Sequence, residues 1–132
     1  MSFKQLIINP GSTSTKLALY EDRECVVQEN VEHAAEELAA FEKIPDQIPY
    51  RMNIIRDFMK KNGIKGETLS AIMGRGGLVP GLHTGGYRMN DSLFYALEND
   101  RISSPHASNL GGMLAKLIGD AYEKPAYIYD AV

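Results

Sequence analysis

The chain has 132 residues, 44% of them hydrophobic and 23% charged, the composition of one folded domain rather than of a disordered or fibrous segment. Its 14 Lys and Arg against 17 Asp and Glu leave a net charge of −3 with no long single-sign block, which argues against a basic nucleic-acid footprint and makes any phosphate site a local one. A single cysteine, Cys25, excludes a disulfide framework or a multi-cysteine zinc site within one chain, and no apolar run approaches a signal peptide or the ~20 residues of a membrane span. A reducing, cytoplasmic setting is expected.

In chain order, Leu6-Ile7-Ile8 reads as a strand, Pro10-Gly11 and the hydroxyls after it as a turn, and Lys16-Leu17-Ala18-Leu19-Tyr20 as a second strand. After the turn at Glu21-Asp22-Arg23, a third strand carries Cys25, Val26, Val27 and Val31, with Cys25 expected as a core thiol. Residues 32–41 are alanine-rich and helical in character. A longer helix is expected over 49–61, where Ile48, Met52, Ile55 and Met59 recur at helical spacing, with Gly63 just past its end. Leu69, Ala71, Ile72 and Met73 form a short apolar run stopped by glycines, which suits a buried fourth strand.

Residues 74–87 read as a loop and 91–97 as a short helix. Ser104-Pro105 opens another helix, with Leu110, Leu114, Leu117, Ile118 and Ala121 on one face, and Pro125 ends it. Ala126-Tyr127-Ile128-Tyr129-Asp130 then reads as a fifth strand. Because it follows a helical crossover, it is expected to run parallel to its neighbour. This order predicts an α/β fold: a mixed five-stranded sheet, three antiparallel strands followed by two parallel ones, flanked by helices.

The stretch with most chemical content is Asn9-Pro10-Gly11-Ser12-Thr13-Ser14-Thr15-Lys16. Glycine lets backbone N–H groups approach an oxyanion, hydroxyls add donors, and lysine supplies a compact positive charge. Neither a Walker pattern nor a complete dinucleotide-binding glycine motif is present, and on composition alone such a stretch is more often a polar hairpin turn than a phosphate site. If the segment binds phosphate, Thr13 and Thr15 are expected to face away from the ligand side, since side chains alternate along extended backbone.

This stretch resembles the phosphate-binding hairpin of the superfamily that joins acetate and sugar kinases, heat-shock chaperones and actin. Within it, the sequence is similar to the acetate and butyrate kinase family, and Pro10 after Asn9 points to the butyrate kinases. Gly74-Arg75-Gly76-Gly77-Leu78-Val79-Pro80-Gly81 with Gly85-Gly86-Tyr87 looks like the butyrate kinase glycine-rich segment. His106-Ala107-Ser108-Asn109-Leu110-Gly111 resembles its next block, although the acetate kinases place the histidine one position earlier, at Pro105 here. Tyr129-Asp130-Ala131 is similar to a strand end where the family carries an acidic active-site residue.

The resemblance implies a ribonuclease H-like sheet and the N-terminal domain, residues 1–132, of a two-domain carboxylate kinase whose second half lies beyond the chain. The implied reaction is reversible phosphoryl transfer from ATP to a short-chain carboxylate such as butyrate, giving acyl phosphate and ADP, with magnesium as cofactor. Arg75, Asp130 and His106 are then the expected catalytic residues. Asn9, Gly11, Ser12, Ser14 and Lys16 are expected to contact nucleotide phosphates, and Asp130 and Asn9 to serve the metal. Expected partners are the carboxylate or acyl phosphate, with no nucleic acid and no membrane, while a homo-oligomer is allowed. A chain of this length acting alone is expected to turn over little, and would then serve as a noncatalytic phosphate-binding or assembly module. Cys25, Met52 and Met59 receive structural readings, and His33 and His83 no catalytic one, with His83, in the glycine-rich loop, a candidate to line a substrate pocket.

Overall fold

The computed structural model describes residues 2–42, 44–75, 86–90 and 110–129. Strands β1 (Lys4–Pro10), β2 (Ser14–Glu21) and β3 (Glu24–Glu32) form the antiparallel meander. Helices α1 (Ala35–Ala39) and α2 (Ile48–Lys61) follow, then β4 (Ala71–Arg75), β5 (Gly86–Arg88), α3 (Leu110–Tyr122) and β6 (Ala126–Tyr129). The sheet order is β3-β2-β1-β4-β6-β5. β4 pairs parallel with both β1 and β6, as a crossover helix between β4 and β6 requires.

The five expected strands are present, and a sixth lies in the segment read as a loop: Gly86–Arg88 pairs antiparallel with β6 at the sheet edge. Three residues are too few to show an alternating pattern, so this strand exists through its ladder with β6 rather than through its own composition. The expected helix over 91–97 lies outside the described residues.

Alternation fixes which way each strand faces. Leu6 and Ile8 of β1, Leu17 of β2, Ile72 of β4 and Ile128 of β6 are buried on one side of the sheet. On that side they meet Ile55, Phe58 and Met59 of α2 and Leu110, Met113, Leu114 and Ile118 of α3 in one hydrophobic cluster. α2 starts with proline in its first turn and stops at Asn62, where Gly63 takes φ +65° and Ile64 N–H reaches back to the Met59 carbonyl at 2.8 Å. Ala121, expected on the inner face of α3, is exposed near the helix end.

Cys25 is exposed, not a core thiol. The ladder of β2 with β3 pairs Leu19 with Val27 and Tyr20 with Cys25, so Val26 is an extra, bulged residue, 56% exposed, on the outermost strand. The bulge turns Cys25 out of the inner row that Val27 occupies.

Candidate phosphate site at one end of the sheet

The parallel strands β1 and β4 end at the same edge, and the register across them decides which side chains meet there. Asn9 of β1 is paired with Lys16 of β2, and Lys16 with Asn30 of β3. On the other side Ile8 pairs with Gly74, so continuing the parallel register by one residue sets Asn9 beside Arg75, which is itself paired with Tyr129. Lys16, Asn9 and Arg75 therefore occupy one row on the sheet face opposite the hydrophobic cluster, with strands about 4.8 Å apart. Lys16 and Arg75 are exposed and Asn9 half-buried.

Beside that row the chain reverses through Gly11, Ser12 and Thr13. The Gly11 N–H donates to the Ser14 carbonyl at 2.7 Å and closes the turn, while the His33 N–H holds the Thr13 carbonyl at 2.9 Å. Ser12 and Thr13 are exposed, and their N–H groups donate to no acceptor among the described residues. Free amide donors beside Ser12, Ser14 and a lysine make a suitable seat for a phosphoryl group. The acid nearest in register is Glu32, opposite Ser14 and exposed.

The other side of the hairpin is closed by side chains. Thr15 faces inward, as alternation predicts, and is fully buried. Its Oγ1 lies 2.8 Å from His33 Nε2 and accepts a hydrogen bond from Arg51 Nη1 at 3.0 Å. Arg51 Nη1 also donates to the Ser14 carbonyl at 2.9 Å, Nη2 to the Gly11 carbonyl at 2.7 Å, and Nε to Gln47 Oε1 at 3.0 Å. The His33 ring meets Tyr50 edge-on at 5.2 Å, and the Tyr50 hydroxyl donates to Glu37, which raises the Tyr50 pKa. Burial, and secondarily the charge of Arg51, lowers the His33 pKa below its ordinary value. Burial likewise pulls Arg51 down to about 10, which leaves it charged at neutral pH.

The end of β4, which carries Arg75, is placed by backbone contact. A Cβ on Gly74 would stand 2.0 Å from the Gly111 carbonyl oxygen, and one on Gly111 would stand 2.2 Å from the Arg75 carbonyl oxygen. Glycine at both positions lets the first described turn of α3 lie directly on the end of β4.

The fold thus brings together Asn9, Gly11, Ser12, Ser14, Lys16 and Arg75 at one edge, whereas His106 and Asp130 lie outside the described residues, as does His83. β6 is described to Tyr129, which pairs with Arg75 at the same edge. Among the described residues no group of three or more His, Cys, Asp or Glu could hold a metal ion. Sequence reasoning overlooked Arg51. Its signal was position: three residues after Ile48 and four before Ile55, a cation stands inside the apolar stripe of α2.

No family model matches the chain. Over all 132 residues it is 44% identical to a probable butyrate kinase of Clostridium botulinum, and over 130 residues 40% identical to butyrate kinase 1 of Clostridium acetobutylicum. The chain is related to the butyrate kinases. It spans 37% and 36% of the length of these two butyrate kinases, respectively. Acetate kinase from Porphyromonas gingivalis has the same fold, with a TM-score of 0.56 at 13% identity over 96% of this chain and 37% of that one. The butyrate kinase relationship extends over the whole chain, the hairpin and Gly74-Arg75 included, and so agrees with the resemblance carried by those motifs. No helix among the described residues is long and apolar enough to cross a membrane.

Proposed function

We propose that this chain forms the N-terminal, phosphate-holding domain of a two-domain enzyme that moves a phosphoryl group between ATP and a short-chain carboxylate such as butyrate. The observation that carries the reading is the common row of Lys16, Asn9 and Arg75 beside free turn amides, in a relative of the butyrate kinases. A carboxylate with a pKa near ~4 is already ionised at neutral pH, so the reaction needs no general base on the acceptor. One carboxylate oxygen attacks the terminal phosphorus as the bond to the bridging oxygen of ADP breaks, and no net proton moves. The work left to the protein is to align two anions and offset their repulsion.

In this reading Ser12, Ser14, Lys16 and the turn amides around Gly11 hold phosphate oxygens. Arg75 receives the carboxylate or an equatorial phosphoryl oxygen through its planar fork. Magnesium, when bound, offsets charge on the nucleotide phosphates. The amide of Asn9 suits a phosphate or a metal-bound water, Asp130 would be the carboxylate for the metal or for the phosphoryl group, and His106 a further donor to it. The remainder of the protein would supply nucleotide contacts and close the cleft over the reactants.

The test is Arg75→Lys in the complete protein. Butyryl phosphate formation is expected to fall by about a hundredfold or more with an unchanged melting temperature, because an ammonium cannot reproduce the two-pronged contact. Near-normal turnover would remove Arg75 from the mechanism.

A further inference from the structure

Arg51 is a fully buried arginine with four neutral acceptors and, among the described residues, no acidic partner. A buried cation without a counter-charge is costly to keep. Its contacts show where it acts: two of its acceptors are the Gly11 and Ser14 carbonyls, at the two ends of the turn that the phosphate reading assigns to nucleotide.

Peptide planarity links those contacts to the opposite side of the turn. The Gly11 carbonyl and the Ser12 N–H belong to one trans peptide, so they point in opposite directions. Holding the carbonyl toward Arg51 directs the Ser12 N–H outward, to the exposed side of the hairpin. A hydrogen bond from a charged donor to that carbonyl also polarises the peptide and strengthens its N–H as a donor. Thr15 and Gln47 fix the guanidinium in turn, and Gln47 sits one helical turn before Arg51, at the start of α2.

We infer that Arg51 is a positioning residue for phosphate: from beneath the hairpin it orients the Ser12 amide and places a positive charge behind it, and the nucleotide phosphates complete its charge balance. This rests on the reading of the hairpin as the phosphate seat.

The experiment uses the complete protein with Arg51→Gln, Arg51→Lys and, in parallel, Lys16→Met, titrated calorimetrically with ATP and with adenosine. Arg51→Gln is expected to weaken ATP about tenfold and leave adenosine unchanged, and Arg51→Lys, which keeps the charge and loses the fork, to fall between it and the unaltered protein. Equal loss of ATP and adenosine, or ATP binding unchanged in both Arg51 variants, would overturn the inference. If Arg51→Gln does not fold, Arg51→Lys decides: weakened ATP with intact adenosine supports the role, and any other result refutes it. Lys16→Met separates the two readings, since unchanged ATP affinity there removes the hairpin itself from nucleotide binding. A loss in Lys16→Met without one in the Arg51 variants would sink the Arg51 role alone.

Discussion

The hairpin between β1 and β2 and the junction of β4 with α3 bring functional groups to the same edge of one sheet by opposite means. Under the hairpin, the turn is held by a long cationic side chain that crosses from α2 and bonds to two carbonyls and a threonine. At the end of β4, Gly74 and Gly111 let backbone lie on backbone. The first arrangement depends on directional bonds and on a charge, so substitutions there should alter ligand response along with stability. The second depends on excluded volume, and substitutions there should act on the fold first.

The sharpest break in that contrast is Gly74→Ala. A methyl group 2.0 Å from the Gly111 carbonyl oxygen cannot be absorbed by a side-chain rotation, because its neighbour is backbone. Either α3 moves off the sheet or β4 shifts, and the cost should reach about 3 kcal/mol or more, the upper range for an overpacked core. Urea denaturation of the variant should show a lowered midpoint at unchanged slope. A midpoint close to that of the unaltered protein would mean the two backbones are not in contact.

Much of the arrangement was legible from the residues, and the exceptions have physical reasons. Strands β1 and β2 announce themselves by alternation, α2 by its stripe and its Gly63 stop, and the parallel placement of β6 by the helix before it. The hairpin motif and Gly74-Arg75 pointed to the edge that holds them together. Arg51 was not legible as functional because its partners at the ends of the turn are backbone carbonyls 37 and 40 residues away, and such partners leave no signature in sequence. Cys25 was misplaced because a one-residue bulge reverses the facing that strict alternation predicts. β5 could not be found because an edge strand of three residues is defined by its partner.

A smaller effect is expected on the hairpin side from Thr15→Val, which keeps shape and removes the hydroxyl. Arg51 Nη1 keeps the Ser14 carbonyl, but His33 Nε2 loses its partner, and His33 Nδ1 is already buried without one. Leaving the imidazole unpaired should cost about 1–2 kcal/mol. If the clamp is a unit, Thr15→Val and Arg51→Lys should also be non-additive in a double-mutant cycle, whereas Thr15→Val and Gly74→Ala, on separate supports, should add. Additivity within the first pair would mean that Arg51 and His33 hold the turn independently.

The smallest effect, and one confined to the hairpin side, is the dependence of stability on pH. The charged groups facing His33 are Arg51 and Glu37, of opposite influence, with Thr15 and Tyr50 as neutral neighbours. Burial dominates and Arg51 adds to it, so the folded protein prefers neutral imidazole and the folded pKa lies below the unfolded 6.5. As pH falls through that value the unfolded chain takes up a proton that the folded protein resists, so stability from this site is complete above about pH 6.5 and declines below it. Protonation would also require Nε2 to donate to Thr15 Oγ1, which already accepts from Arg51, and would set two cations on one hydroxyl. Melting temperatures at pH 7.5 and 5.5 should therefore differ less in His33→Gln than in the unaltered protein. In Gly74→Ala, with the clamp intact, the pH difference should persist in full. An unaltered pH response in His33→Gln would assign the acid sensitivity to groups elsewhere.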